Sequence, residues 1–286
     1  MRTWFGLVAL LVAVIALGIW VYLKPAPETV ESFALSGLKA DAASRVQFER
    51  ADSSAGSGGS ASTSVVVERR EGVWRISAPF KARADAFQVE RLLAILDTQA
   101  SARFAADDLA RYGLDKPVAR VTIEDQVFSY GAINTMTREQ YVLTKGAVYP
   151  IPLAQRTTLP RDAEAMIART LFAPGEAPVR FALQGFTMTL VDGRWKLDPD
   201  AGGAAADERS AWVEGWRNAT ALRAARARPG PAATHIEVTL QSGAEITFGI
   251  VQRAPELVLV RSDEAIEYAF VPEVGKRLLE PPARRE

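Results

Sequence analysis

The chain has 286 residues, 34 basic against 34 acidic side chains, a single histidine and no cysteine. Without cysteine there is no disulfide, thiolate metal site or cysteine nucleophile, and the lone His235 excludes a multi-histidine metal centre. Charge is evenly divided, with 17 basic and 16 acidic groups in residues 1–150 and 17 and 18 in residues 151–286; no basic half exists to neutralise phosphates, which argues against nucleic acid as a partner.

Trp4 to Leu23 is a run of 20 residues without a charge. As a helix it reaches roughly 30 Å, the thickness of a bilayer's hydrocarbon core. Trp4 at one end and Trp20 and Tyr22 near the other suit the headgroup region. A cleaved signal peptide has a shorter apolar core, and the KPAPETVES that follows is a poor cleavage site. The expectation is therefore an uncleaved single-pass anchor in the lipid bilayer, residues 4–23, within a 1–27 anchor and stalk. Arg2 and the terminal amine against Lys24 favour a cytoplasmic N-terminus, with the bulk of the chain periplasmic at a bacterial inner membrane.

Residues 28–160 read as a first α+β unit. Arg45–Arg50 alternates as a half-buried strand does, and Val65–Arg70 resumes that pattern before a Glu71-Gly72 turn and Val73–Ile76. Between them lies ADSSAGSGGSASTS, residues 51–64, a flexible loop by composition. Its GSGGSA fits the dinucleotide-binding glycine pattern only formally, because a strand rather than a helix follows. Asp85 caps a helix whose Val89, Leu92, Leu93 and Leu96 make one apolar stripe. A shorter helix is predicted over Asp107–Tyr112, ending at Gly113. Strands follow at 119–124, 127–130, 140–144 and 147–151.

Residues 161–178 are expected to connect, with a helix over Arg161–Phe172. Residues 179–279 then answer the first unit landmark by landmark: Trp195 for Trp74, Asp207 for Asp85, Gly249 for Gly131 and Pro272 for Pro152. The offsets of 121, 122, 118 and 120 residues are nearly constant, which predicts an internal duplication. The fold class expected is α+β, a transmembrane helix followed by two tandem units of antiparallel sheet plus helix. The EPPARRE tail, 280–286, is expected to be disordered.

The candidates for chemistry are few. His235 lacks a partner pattern. Asp198, Asp200 and Glu208 faintly suggest a calcium loop, but Gly202 and Arg209 stand where oxygen ligands are needed. Asp107 and Asp108 suit the start of a helix, and the Asn218-Ala-Thr220 glycosylation triplet falls inside the second helix. No catalytic, cofactor or metal residue is assigned, and no cofactor is expected. The candidate interaction residues are Trp74 and Trp195, which recur at matching positions, and the cluster Arg223, Arg226 and Arg228, read first as cations closing the second helix.

Gly72-Val-Trp74-Arg-Ile with Pro79, Ala84-Asp85 before Leu92-Leu93, the stretch from Asp108 to Pro117 and a strand pair closing at Gly131 together resemble the bacterial domain of unknown function 4340 family. YGLDKP, ending at Pro117, is the most specific element. The likeness is best over 65–152 and weaker in the second unit, where RARPGP replaces the Tyr-Gly-Leu element. The family has no established activity. Its members often accompany multi-subunit ABC export systems of the gliding-motility type, which implies ABC transporter components as partners. The expectation is a non-enzymatic, membrane-anchored binding or scaffold protein of such a complex. The alternative is a periplasmic glycan- or lipid-binding module using the surfaces of Trp74 and Trp195.

Overall fold

The computed structural model describes Val14 and residues 32–50, 64–155, 159–200, 203–228, 230 and 234–283. The proposed span (Val14 excepted), the stalk and the Gly/Ser stretch up to residue 63 lie outside the described residues. Among those described, no helix is long and apolar enough to cross a membrane.

In chain order the first unit contains β1 (Phe33–Ala34), β2 (Arg45–Arg50), β3 (Val65–Arg70), β4 (Val73–Ala78), β5 (Ala82–Arg83), α1 (Ala86–Leu93), β6 (Gln99–Ala100), β7 (Phe104–Ala105), β8 (Ala119–Ile123), β9 (Gln126–Asn134), β10 (Glu139–Thr144) and β11 (Ala147–Pro152). The second contains β12 (Pro178–Leu183), β13 (Phe186–Val191), β14 (Arg194–Asp198), α2 (Ala206–Arg217), β15 (Arg223–Arg226), β16 (Thr234–Leu240), β17 (Glu245–Gln252), β18 (Leu257–Arg261), β19 (Ile266–Phe270) and α3 (Pro272–Leu279). The fold is α+β, dominated by two antiparallel sheets.

One sheet runs β5-β4-β3-β2-β8-β9-β10-β11-β7 and the other β14-β13-β12-β16-β17-β18-β19-β15. Each is built by the same steps: three hairpin strands, a helix, a short edge strand, then a four-stranded meander that starts beside the first strand. Both hairpins turn on a residue pair with positive φ, Glu71-Gly72 and Asp192-Gly193, as a two-residue loop between twisted strands requires. Both meanders carry an irregularity in the second strand pair, at Gln140–Val142 against β9 and at Ile250–Gln252 against β18.

Helix α1 forms where the stripe predicts. Asp85 accepts from the amides of Phe87 and Gln88, while Val89, Leu92 and Leu93 are buried beneath it. The apolar stripe continues through a 3-10 turn, Ala94–Asp97, that buries Ile95 and Leu96. Helix α2 begins differently from the expectation. Its N-cap is Ala205, whose amide donates to the Glu208 carboxylate, and Asp207 sits in the first turn, where it complements the helix dipole without capping. Trp212 and Trp216 project from α2 into an aromatic cluster with Phe181, Phe186 and Phe248. Their indole N–H groups donate to Glu280 O and Leu278 O at the end of α3. Carbonyls that a helix C-terminus leaves without partners are thereby satisfied, and the start of the supposedly loose tail is held at Glu280.

Three further expectations are corrected. Residues 107–112 form only a 3-10 turn over Ala110–Tyr112, stopped by left-handed Gly113. Asn218 is the C-cap of α2 and Thr220 pairs with Thr170, so the triplet lies beyond the helix. The Arg161–Phe172 segment contains one 3-10 turn, Glu164–Met166, and otherwise runs as an extended strap. Its backbone is claimed from both sides. Asp85 N–H donates to Met166 O and Ala168 N–H to Arg83 O in the first unit, while Ala221 N–H donates to Arg169 O in the second. A helix here would satisfy the strap internally and leave both of those edges without partners.

The YGLDKP stretch has a packing role. Tyr112 and Leu114 form a small cluster with Val148 on the outer face of β10 and β11, and the Tyr112 ring lies 4.8 Å from that of Tyr141. The turn approaches so closely that a Cβ at Gly131 would collide with Tyr112 O and the Leu114 side chain. Gly131→Ala is therefore expected to cost about 2–3 kcal/mol by overpacking. Gly37→Ala, at a site with open space around it, is expected to be neutral or slightly stabilising; equal denaturation midpoints for the two variants would refute the close-approach account.

Candidate functional site

The strongest concentration of chemistry lies where the two units meet. Arg83, on the edge strand β5, is only 3% exposed. Its Nε donates to Glu264 at 2.6 Å, and its Nη2 donates to Thr170 O at 2.7 Å, Leu171 O at 3.3 Å and Tyr268 Oη at 3.0 Å. Tyr268 passes its own proton toward the second Glu264 oxygen at 3.0 Å. One guanidinium from the first unit thus holds the strap, β19 and the turn before it.

Arg261, 2% exposed, does the same work within the second unit. It binds Glu176 through both terminal nitrogens, at 2.8 and 2.7 Å, and Asp263 through Nε and Nη2. Its Nη1 also reaches Leu171 O at 2.8 Å, so this carbonyl accepts from both arginines. Burial alone would push the carboxyls of Glu176 and Asp263 up, but hydrogen bonds and charge from Arg261 outweigh it and hold both below their ordinary values. Burial likewise opposes the charge on Arg261, yet its carboxylate partners keep it protonated more firmly than usual. The Tyr268 hydroxyl is pushed up chiefly by burial, with Glu264 adding to the effect and Arg83 opposing it. These shifted groups hold each other.

Above this network is an open cleft of about 320 Å³, lined by Asp85 and Gln88 of α1, Glu164, Ile167 and Arg169 of the strap, and Leu222 to Ala224 of the second unit. Phe87, 63% exposed, lies in the adjacent first turn of α1, and Leu222 in the cleft wall is 55% exposed. Among the described residues no three His, Asp or Glu side chains are placed to hold a metal ion.

The named candidates fall in different places. Trp74 is 7% exposed in the core, with the Arg69 guanidinium 5.9 Å from its ring centre. Trp195 is half-buried, 6.2 Å from Phe181 at the margin of the aromatic cluster. Trp74 lies inside the main hydrophobic core and Trp195 packs against the same core from its margin, so the two indoles do not form a pair of exposed rings. Arg223 and Arg226 are not at the end of a helix: α2 has stopped at Arg217, and both arginines belong to the sheet-edge strand β15. Arg223–Arg226 is four residues long and shows no alternation of burial, which hides the strand in the sequence. Arg223 pairs with Glu256 at 3.1 Å, Arg226 lies 5.4 Å above the Phe80 ring of the first unit, and Arg228 is exposed. Asp200 forms an ion pair with Arg209, and His235 is exposed on β16. Asp108 accepts from the Arg111 amide and caps its turn. Sequence reasoning passed over Arg83, Glu264 and Tyr268. No motif marks them, and Arg83, between Lys81 and Asp85 at two residues' distance, reads as an ordinary surface charge.

Removing Arg83 alone should leave Glu264 buried beside Tyr268 without its hydrogen-bonded cation and with only the more distant Arg261, at 4.0 Å, so Arg83→Met is expected to cost about 3 kcal/mol in thermal or urea unfolding. Adding Glu264→Leu should recover much of that loss; a double variant no better than the single one would show that the pairing is not the reason. The pH dependence follows from the same groups. Glu176 and Asp263, lowered in the folded chain, contribute stability that is present above their ordinary values of 4.5 and 3.8 and is lost as pH falls through them. Tyr268, raised, contributes stability present below its ordinary 10.0 and lost above it. Denaturation midpoints are expected to hold between pH 4.5 and 10.0 and to fall on either side.

Comparison with known proteins gives one match. No curated protein and no solved structure matches the chain. A family model described as a domain of unknown function, number 4340, matches residues 74–240, more than half of the chain, from β4 through the strap to the end of β16. The chain belongs to the domain of unknown function 4340 family.

Proposed function

We propose that the chain is a single-pass, membrane-anchored, non-catalytic scaffold that presents its folded region on the periplasmic side and serves as an accessory subunit of an ABC-type export complex. The observation that carries this reading is the junction: the buried Arg83 of the first unit spends its donors on Glu264 and Tyr268 of the second and on the strap, which ties the two sheets together. The charge-free run of residues 4–23 supplies the anchor, and the orientation follows from the flanking charges. The shared strand order and the near-constant 120-residue offset support an internal duplication, which would give such a scaffold two related faces. The glycan- or lipid-binding reading loses its main support, because Trp74 is buried and Trp195 is turned into the aromatic cluster.

Chemical crosslinking in intact membranes, followed by detergent extraction and purification of the full chain, tests the proposal. Crosslinked species containing integral subunits of an export complex are expected. Recovery of the monomer alone, in a preparation where known membrane complexes survive, would overturn it.

A further inference from the structure

The chain has no cysteine, so its sulfur is confined to four methionines. Three of them lie among the described residues, and they stand in opposite environments. Met166, in the 3-10 turn of the strap, and Met188, on β13, are 0% exposed. Met136 is 94% exposed, the most exposed large apolar side chain among those described.

Met136 lies in the four-residue loop, 135–138, that joins β9 to β10. The backbone of this loop is fixed without help from the methionine side chain. Asn134 Oδ1 accepts from the amides of Met136 at 3.0 Å and Thr137 at 3.3 Å, and Leu153 N–H donates to Arg138 O at 2.9 Å. The loop of equal length in the second unit, 253–256, reads Arg-Ala-Pro-Glu and carries no sulfur. One thioether is therefore held out in solvent on a loop whose shape does not depend on it, while two others are sealed in the core.

We propose that Met136 is a redox-modification site, at which an oxidant of the hydroperoxide or hypohalous-acid class converts the thioether to the sulfoxide while the fold stays intact. With hydrogen peroxide, a sulfur lone pair attacks one oxygen, an S–O bond forms and the O–O bond breaks. The hydroxide that leaves takes the proton from the oxygen on sulfur and departs as water. Sulfur gives up two electrons and the peroxide receives them. Selectivity follows from access, because an oxidant meets Met166 or Met188 only when the core opens. The product is polar and chiral, and in a core it would disrupt packing; at position 136 it stands in water already. A loop that presents an apolar side chain, with Ile133 of β9 also 41% exposed just before it, becomes a polar one. Nothing in this chemistry depends on the scaffold reading.

The test treats the full chain in detergent micelles with hydrogen peroxide and digests it with trypsin, which places the three methionines in separate peptides, 121–138, 162–169 and 181–194. Mass spectrometry is expected to show one added oxygen on the first peptide, at a rate within about threefold of N-acetylmethionine amide and at least about a hundredfold above the other two. The oxidised chain should keep the denaturation midpoint of the untreated one, and Met136→Leu should abolish the fast phase at an unchanged midpoint. Oxidation of Met166 or Met188 within about tenfold of the Met136 rate, or a midpoint that drops as the first oxygen is added, would overturn the proposal. The same peptides from cells exposed to hypochlorite give the second arm. Sulfoxide on 121–138 is expected to rise above its level in unexposed cells; no rise would sink Met136 as a modification site.

Discussion

A guanidinium shut away from water must find acceptors for its N–H groups within the protein, or its burial costs several kcal/mol. Arg83 donates to Glu264 and Tyr268 of the opposite unit and to the strap carbonyls of Thr170 and Leu171. That requirement fixes more than a single contact. Leu171 O also serves Arg261, so the strap has to lie where both arginines can reach it. With the strap so placed, its backbone is available to β5 and α1 on one side and to Ala221 on the other. The cleft is what remains where those demands pull the chains apart.

The gains from such a buried network are specific rather than large. Apolar residues of similar volume could hold the units together with comparable stability, since burying two charges costs nearly as much as their attraction returns. What the ions add is geometry: a bidentate pair such as Arg261 with Glu176 accepts one arrangement and rejects its neighbours. An apolar interface between two sheet edges could slip by a residue; one fixed by guanidinium forks cannot do so without leaving a charge stranded.

Much of the first unit was legible in the sequence, for identifiable reasons. Strands β8 to β11 alternate or run apolar between turn residues, and the Asp85 cap precedes an apolar stripe of helical period, so local physics and tertiary packing agree there. The errors lie where they disagree. The strap reads as a helix because Ala163, Met166, Ile167 and Leu171 are buried at helix-like spacing, but the two edges outbid an internal hydrogen-bond pattern. β15 reads as a helix terminus because arginines complement helix carbonyls, and Arg-Ala-Ala-Arg has no alternation to signal a strand against that. α3 begins at Pro272, an ordinary start signal at a first turn, but in the sequence that proline serves only as the landmark answering Pro152. The junction itself was beyond reach, because Arg83 and Glu264 are separated by 181 residues and nothing local to either announces the other.

The strap also decides what counts as a part of this protein. By strand order there are two units, but the segment between them gives hydrogen bonds to both, and the family match itself starts in one sheet and stops in the other. Neither half owns a closed set of backbone partners. Recombination that exchanged one unit for a relative's would have to carry the strap and both of its docking edges along with it. A change to either sheet is compatible with the fold only to the extent that the seam still closes.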